Sequence, residues 1–181
     1  MTDTPEFLAQ RLQTEGQKVL AFFEDLQPTQ WETRVYPDEQ LESFHEPEMR
    51  AVVELPEGGA GWRVRQVLAH FVFSEAGFLR LIANILEGGS GAPEDFDIDR
   101  FNRKKVADFE ALPPADLLAQ FAMNRRSTVD LVNRLAPVDL EKTGRHPFLG
   151  VVPLTDIIKM IYRHNQIHLR DLRRVLQSQP S

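Results

Sequence analysis

The sequence predicts an all-α protein built as a four-helix bundle. Four long stretches repeat apolar residues at i, i+3 and i+4, proline and glycine clusters punctuate the joints between them, and little of the remaining chain has the alternation of a half-buried strand. With 181 residues, 42% hydrophobic and 27% charged, the chain suits one globular domain, residues 1–181, with a single substantial core. No internal repeat, low-complexity tract or linker divides it.

The first helix is expected over Pro5–Leu26. Thr4 can accept from the free N–H groups of the first turn, and Pro5 fits the first helical position, where no N–H is needed. Phe7, Leu8, Leu12, Val19, Leu20, Phe22, Phe23 and Leu26 form its apolar stripe, and Pro28 stops it. Residues 29–60 make a long connection broken by Pro37, Pro47, Pro56, Gly58 and Gly59, with a short strand placed at Met49–Leu55. A loop of this length usually carries a function.

The second helix is expected over Trp62–Leu86, ended by Gly88, Gly89 and Gly91. At about 100° per residue, Val67, His70, Phe71, Ser74, Phe78, Leu81 and Ile85 share one face, so His70 points inward. Residues 92–114 mix acids and bases, with a short helix near Asn102–Phe109. The third long helix, Ala115–Leu135, lines up Leu117, Leu118, Phe121, Thr128, Val132 and Leu135. Arg125 interrupts that stripe. A cation there must reach the rim or face a polar cavity, which makes Arg125 a candidate to bind an anionic group of a substrate. Thr143–Pro153 reads as a loop, and the fourth helix, Leu154–Gln177, aligns Ile157, Ile161, His164, His168, Leu172 and Val175 on its inner side.

Composition excludes several functions. A net charge of −6 argues against a nucleic-acid partner. The densest basic group, Arg163, Arg170, Arg173 and Arg174, surrounds one helix near its C-terminus, where cations complement the helix dipole. There are no cysteines, hence no disulfide, thiolate ligand or cysteine nucleophile. The residues from Met1 to Glu6 lack a signal peptide's basic start, and no apolar run approaches the roughly 20 residues of a spanning helix. A cytoplasmic protein with no membrane partner is expected. No nucleophile elbow or phosphate-cradling glycine loop occurs, and Asn165 after His164 rules out a His-Glu-x-x-His motif.

The chemistry-bearing pattern is His164 and His168, four residues apart and therefore one turn apart on a single helix face. With His70 also inward, three imidazoles from two helices can hold a divalent ion and leave it an open position. That is the arrangement of a catalytic rather than a closed structural site. Zn²⁺ and Ni²⁺ are the foremost candidates, and Fe²⁺, Mn²⁺ and Cu²⁺ are compatible with the same donors. Such an ion lowers the pKa of a bound water or thiol towards neutrality. Asp171, one turn beyond His168, is a candidate to orient a ligand imidazole, with an ion pair to Arg170 or Arg174 as the competing expectation. His45 and His146, beside proline-containing turns, are expected to be exposed loop histidines. The rival to an enzyme is a non-catalytic bundle, stress-related or ligand-binding, whose histidines are hydrogen-bonded in the core or hold a structural metal.

The run from Trp62 to His70, with Glu75 following, and the run from His164 to His168 resemble the DinB-like, or YfiT-like, metalloenzyme superfamily. This group includes thiol-dependent S-transferases and the mycothiol-dependent maleylpyruvate isomerase. Pro147, Gly150, Leu154 and Ile157 are similar to the family's lead-in to its last helix, and the resemblance extends from about Phe7 to Leu176. It implies up-down-down-up connectivity, a homodimer, and one divalent ion held by His70, His164 and His168. It also implies activation of a low-molecular-weight thiol as cosubstrate, or of water, for attack on a small electrophile, as in S-transfer or hydrolysis.

Overall fold

The computed structural model describes residues 3–35, 62–109 and 111–178, without the side chains at positions 99 and 103. The chain is mostly helical, with five α-helices and one small sheet among the described residues. The helices are α1 (Pro5–Glu24), α2 (Val64–Leu86), α3 (Ile98–Phe109), α4 (Pro114–Asn133) and α5 (Leu154–Gln177). Strands β1 (Thr143–His146) and β2 (Gly150–Pro153) pair antiparallel between α4 and α5. The short strand expected at Met49–Leu55, and His45, lie outside the described residues.

Helix α1 starts as its sequence demands: the Thr4 hydroxyl accepts from the Phe7 N–H at 3.2 Å and Pro5 takes the first turn. It ends at Glu24, two residues early, and Pro28–Glu32 forms a 3-10 turn. Its buried face runs through Leu8, Leu12, Val19 and Phe23, whereas Phe7, expected on that stripe, is 38% exposed. Thr33 and Val35 then exchange backbone bonds with Val64 and Trp62, so the chain on either side of residues 36–61 is pinned together at the start of α2.

Helices α1 and α2 each pack against both α4 and α5, and α3 lies against α2. Two apolar clusters fill the interior. One gathers Phe23, Val67, Phe71, Phe121 and Leu169; the other gathers Leu8, Leu12, Ile82, Ile157 and Ile161. Fully burying each such side chain contributes roughly 1.5–3 kcal/mol. Helix α2 is long and apolar enough to cross a membrane, which corrects the expectation that no run approaches that length. Half of its apolar window is covered by the rest of the protein, as in a core helix.

Thr143–Pro153 is a hairpin rather than an irregular loop. His146 pairs with Gly150, whose φ of 72° suits glycine at the end of the turn. Arg145 also exchanges backbone bonds with Ser90 and Ala92, both at 2.8 Å. At Gly91, with φ 90°, a Cβ would fall 2.5 Å from the Arg145 backbone, so glycine is required for this approach. These long-range bonds, which a scan for local alternation cannot register, hold β1 against the C-terminal end of α2.

Candidate metal centre

The three histidines expected to converge do so. His70 comes from α2 and His164 and His168 from successive turns of α5. The Nε2 atoms of His70 and His164 are 2.7 Å apart, and those of His164 and His168 are 3.1 Å apart. All three donor atoms lie within 4.8 Å of one another. Nitrogens sharing one ion at bonds of about 2.0–2.1 Å stand roughly 3.0–3.4 Å apart; the His164–His168 pair falls in that range and the His70–His164 pair stands slightly closer. His70 and His168 are buried and His164 is half-buried.

Protonation favours ligation. Burial, then the neighbouring His168, holds His70 well below its ordinary pKa. Burial, then the neighbouring histidines and Arg125, do the same for His164. His168 is lowered to about 4 by burial and then by Arg170. All three are therefore neutral near pH 7, the state that binds a metal. Trp62 and Phe73 pack on the His70 ring with centroids 5.1 and 5.0 Å away. The His70 Nδ1 is buried without a hydrogen-bond partner among the described residues, and it is aromatic packing that holds this ring among them.

The cluster opens onto a cavity of about 450 Å³ walled by α2, α3, the hairpin and α5. No carboxylate of the described residues lines it. His146 does, which corrects the expectation of an exposed loop histidine: it is 6% exposed and stacks on Phe78 with centroids 5.4 Å apart. Its Nδ1 accepts from the Phe148 and Leu149 N–H groups at 3.1 and 3.2 Å, which fixes the proton on Nε2. Burial lowers its pKa to about 4. Asn102 of α3 is a second lining residue that the sequence pattern did not single out.

Arg125 sits elsewhere. It is 5% exposed, is absent from the cavity wall, and makes a two-pronged ion pair with Glu75 at 2.8 and 2.7 Å. It also donates to the Leu12 carbonyl at 2.7 Å and to Asn165 Oδ1 at 2.6 Å. These protein partners occupy the guanidinium that was expected to meet a substrate anion. The clue was present in the periodicity: Glu75 and Asn165 fall on the inner faces of α2 and α5, and a buried acid needs a buried base. Asp171 is buried, one turn past His168, and accepts from Arg170 at 3.0 and 3.1 Å. The anticipated ion pair with Arg170 is thus present.

The placement of these residues agrees with the chain's sequence relationships. No curated protein matches the chain. The sequence profile of the DinB superfamily matches residues 11–172, a span that contains all three histidines, and the chain belongs to that superfamily.

Proposed function

We propose that this protein is a metal-dependent enzyme that activates a thiol or water for attack on a small electrophile, as an S-transferase or hydrolase. The observation that carries the reading is the meeting of three neutral imidazole Nε2 atoms at the wall of a 450 Å³ cavity. A divalent ion held by His70, His164 and His168, Zn²⁺ or Ni²⁺ foremost, would supply Lewis acidity that brings a bound water or thiol to its reactive form near pH 7. The chain's own part is positional. Helix α5 sets two donors one turn apart, α2 brings the third, and aromatic side chains wall the space beside them. A low-molecular-weight thiol is the proposed cosubstrate.

Around this site we place one domain over residues 1–181, an up-down-down-up four-helix bundle of α1, α2, α4 and α5, acting as a cytoplasmic homodimer. The Nδ1 of His70, without a partner among the described residues, favours a second reading, because a ligating histidine ordinarily donates through its other nitrogen. On that reading the histidines are hydrogen-bonded to one another in a non-catalytic, ligand-binding bundle. Metal content separates the two. Mass spectrometry of untagged protein is expected to find close to one equivalent of divalent ion, lost in His164→Ala with helicity retained by circular dichroism. No uptake after incubation with Zn²⁺ and Ni²⁺ would overturn the enzyme reading.

A further inference from the structure

The cavity wall has a marked division of labour. Phe73, Phe78, Phe96, Phe101 and Phe148 line it, and Phe73 and Phe101 meet edge to face at 5.9 Å. Such walls favour another ring, through edge and offset contacts that a saturated ligand cannot make. Among the described lining residues the one permanently charged side chain is Arg80, which is exposed. The buried part of the cavity is therefore matched to an uncharged molecule.

Apart from the histidine cluster, two buried polar side chains break the apolar surface. His146 has its Nδ1 committed to two backbone N–H groups, and no described residue hydrogen-bonds to its Nε2. Asn102 is 6% exposed, and no described residue hydrogen-bonds to its carboxamide. Neither side chain has a polar atom that is both sealed from the surface and without a partner, so both stay open at the cavity wall. A protein rarely buries polar groups with nothing to meet them, and a pocket that combines apolar walls with a few placed polar groups is how small ligands are oriented.

We propose that the cavity takes a flat, uncharged aromatic molecule whose edge carries a hydrogen-bond acceptor, such as an aryl carbonyl, received by the Nε2–H of His146 and the amide N–H of Asn102. The phenylalanine walls hold the ring, and the two donors turn its acceptor edge. The proposal rests on the preceding reading only for its statement that the bound molecule is the substrate. His146 and Asn102 are specificity-determining residues in it, not metal ligands.

The test is a ligand-observed NMR titration of chelator-treated, full-length protein with three probes of similar size. Acetophenone has ring and acceptor, ethylbenzene lacks the acceptor, and cyclohexyl methyl ketone lacks the aromatic ring. Acetophenone is expected to bind about tenfold more tightly than either, as one or two neutral hydrogen bonds and the ring contacts warrant. His146→Asn keeps an acceptor for the turn's N–H groups while withdrawing the Nε2–H, and Asn102→Leu is nearly isosteric. Each variant should lower acetophenone affinity several-fold and leave ethylbenzene unchanged, so ethylbenzene binding also reports that the cavity is intact. Equal binding of acetophenone and ethylbenzene, or a preference that survives both variants, would overturn the proposal. So would the absence of acetophenone binding. Because the titration is done without metal, absence of metal uptake would remove the enzyme reading and leave this result standing, and the reverse also holds.

Discussion

Two sets of inward polar side chains share α2 and α5 and differ in what they face. Glu75 and Asn165 meet Arg125, and the Leu12 carbonyl of α1 closes the group, so its four hydrogen bonds join all four long helices. The histidines, from neighbouring turns of the same two helices, face one another and a cavity. The first set resembles a fastener and the second a socket. Closing every polar valence fixes the relative rotation of helices, whereas leaving valences open at a cavity is the condition for binding something else. His70 lies five residues before Glu75, and His164 adjoins Asn165, so fixing the second residue of each pair constrains where the first can point.

The sharpest way to break the comparison is Arg125→Ala. It leaves the Glu75 carboxylate buried without its cation, a change that costs about 3–5 kcal/mol, and chemical denaturation should show a loss of that size. A matched Arg125→Met/Glu75→Leu double variant should recover much of it, because a buried pair replaced by apolar groups of similar volume is often near neutral. If the single variant loses under about 1 kcal/mol, water reaches the pair and the fastener description fails.

A second effect comes from the socket side. His146 titrates at about 4 in the folded chain because of burial, against 6.5 unfolded. Above pH 6.5 neither state binds the proton and the folded protein suffers no penalty. As pH falls from 6.5 to 4 only the unfolded chain takes it up, so stability drops by about 3 kcal/mol and then levels off. Urea midpoints of the metal-free protein at pH 7.5 and 4.5 should therefore diverge, and His146→Asn should remove part of that divergence. An unchanged pH dependence in the variant would mean that His146 is solvated.

These two residues also mark what the sequence made legible. The His164 and His168 spacing, with the inward phase of His70, is a property of helix period alone and needs no tertiary information. The four long helices are found to within a few residues for the same reason, and α3 was short by its first turn because its apolar residues are few. His146 could not be read this way. Its burial depends on a four-residue strand, on the bond between Arg145 and Ser90, and on Phe78 arriving from a distant helix. Arg125 was visible as an anomaly on an apolar stripe, but choosing between a substrate and a protein partner required knowing that α1, α2 and α5 all face it.

The smallest expected effect probes the fastener from α1. Gly16 is buried in the middle of that helix, and a Cβ built there would lie 2.8 Å from Cγ of Arg125 and 3.1 Å from its Nη1. On helix propensity alone, Gly16→Ala should stabilise the protein by about 1 kcal/mol. Against that, the crowded atoms belong to a side chain anchored at its far end by Glu75, Asn165 and Leu12, so it cannot swing aside without stretching those bonds. Overpacking a fixed neighbour costs about 1–3 kcal/mol, and the net expectation is a destabilisation of about 1 kcal/mol. The sign is the informative part: stabilisation by Gly16→Ala would show that Arg125 shifts freely while keeping its partners. In the Arg125→Met/Glu75→Leu background, where the anchor is gone, the same substitution should turn from destabilising to neutral or favourable, because the flexible methionine can yield and the helix gain is then felt in full.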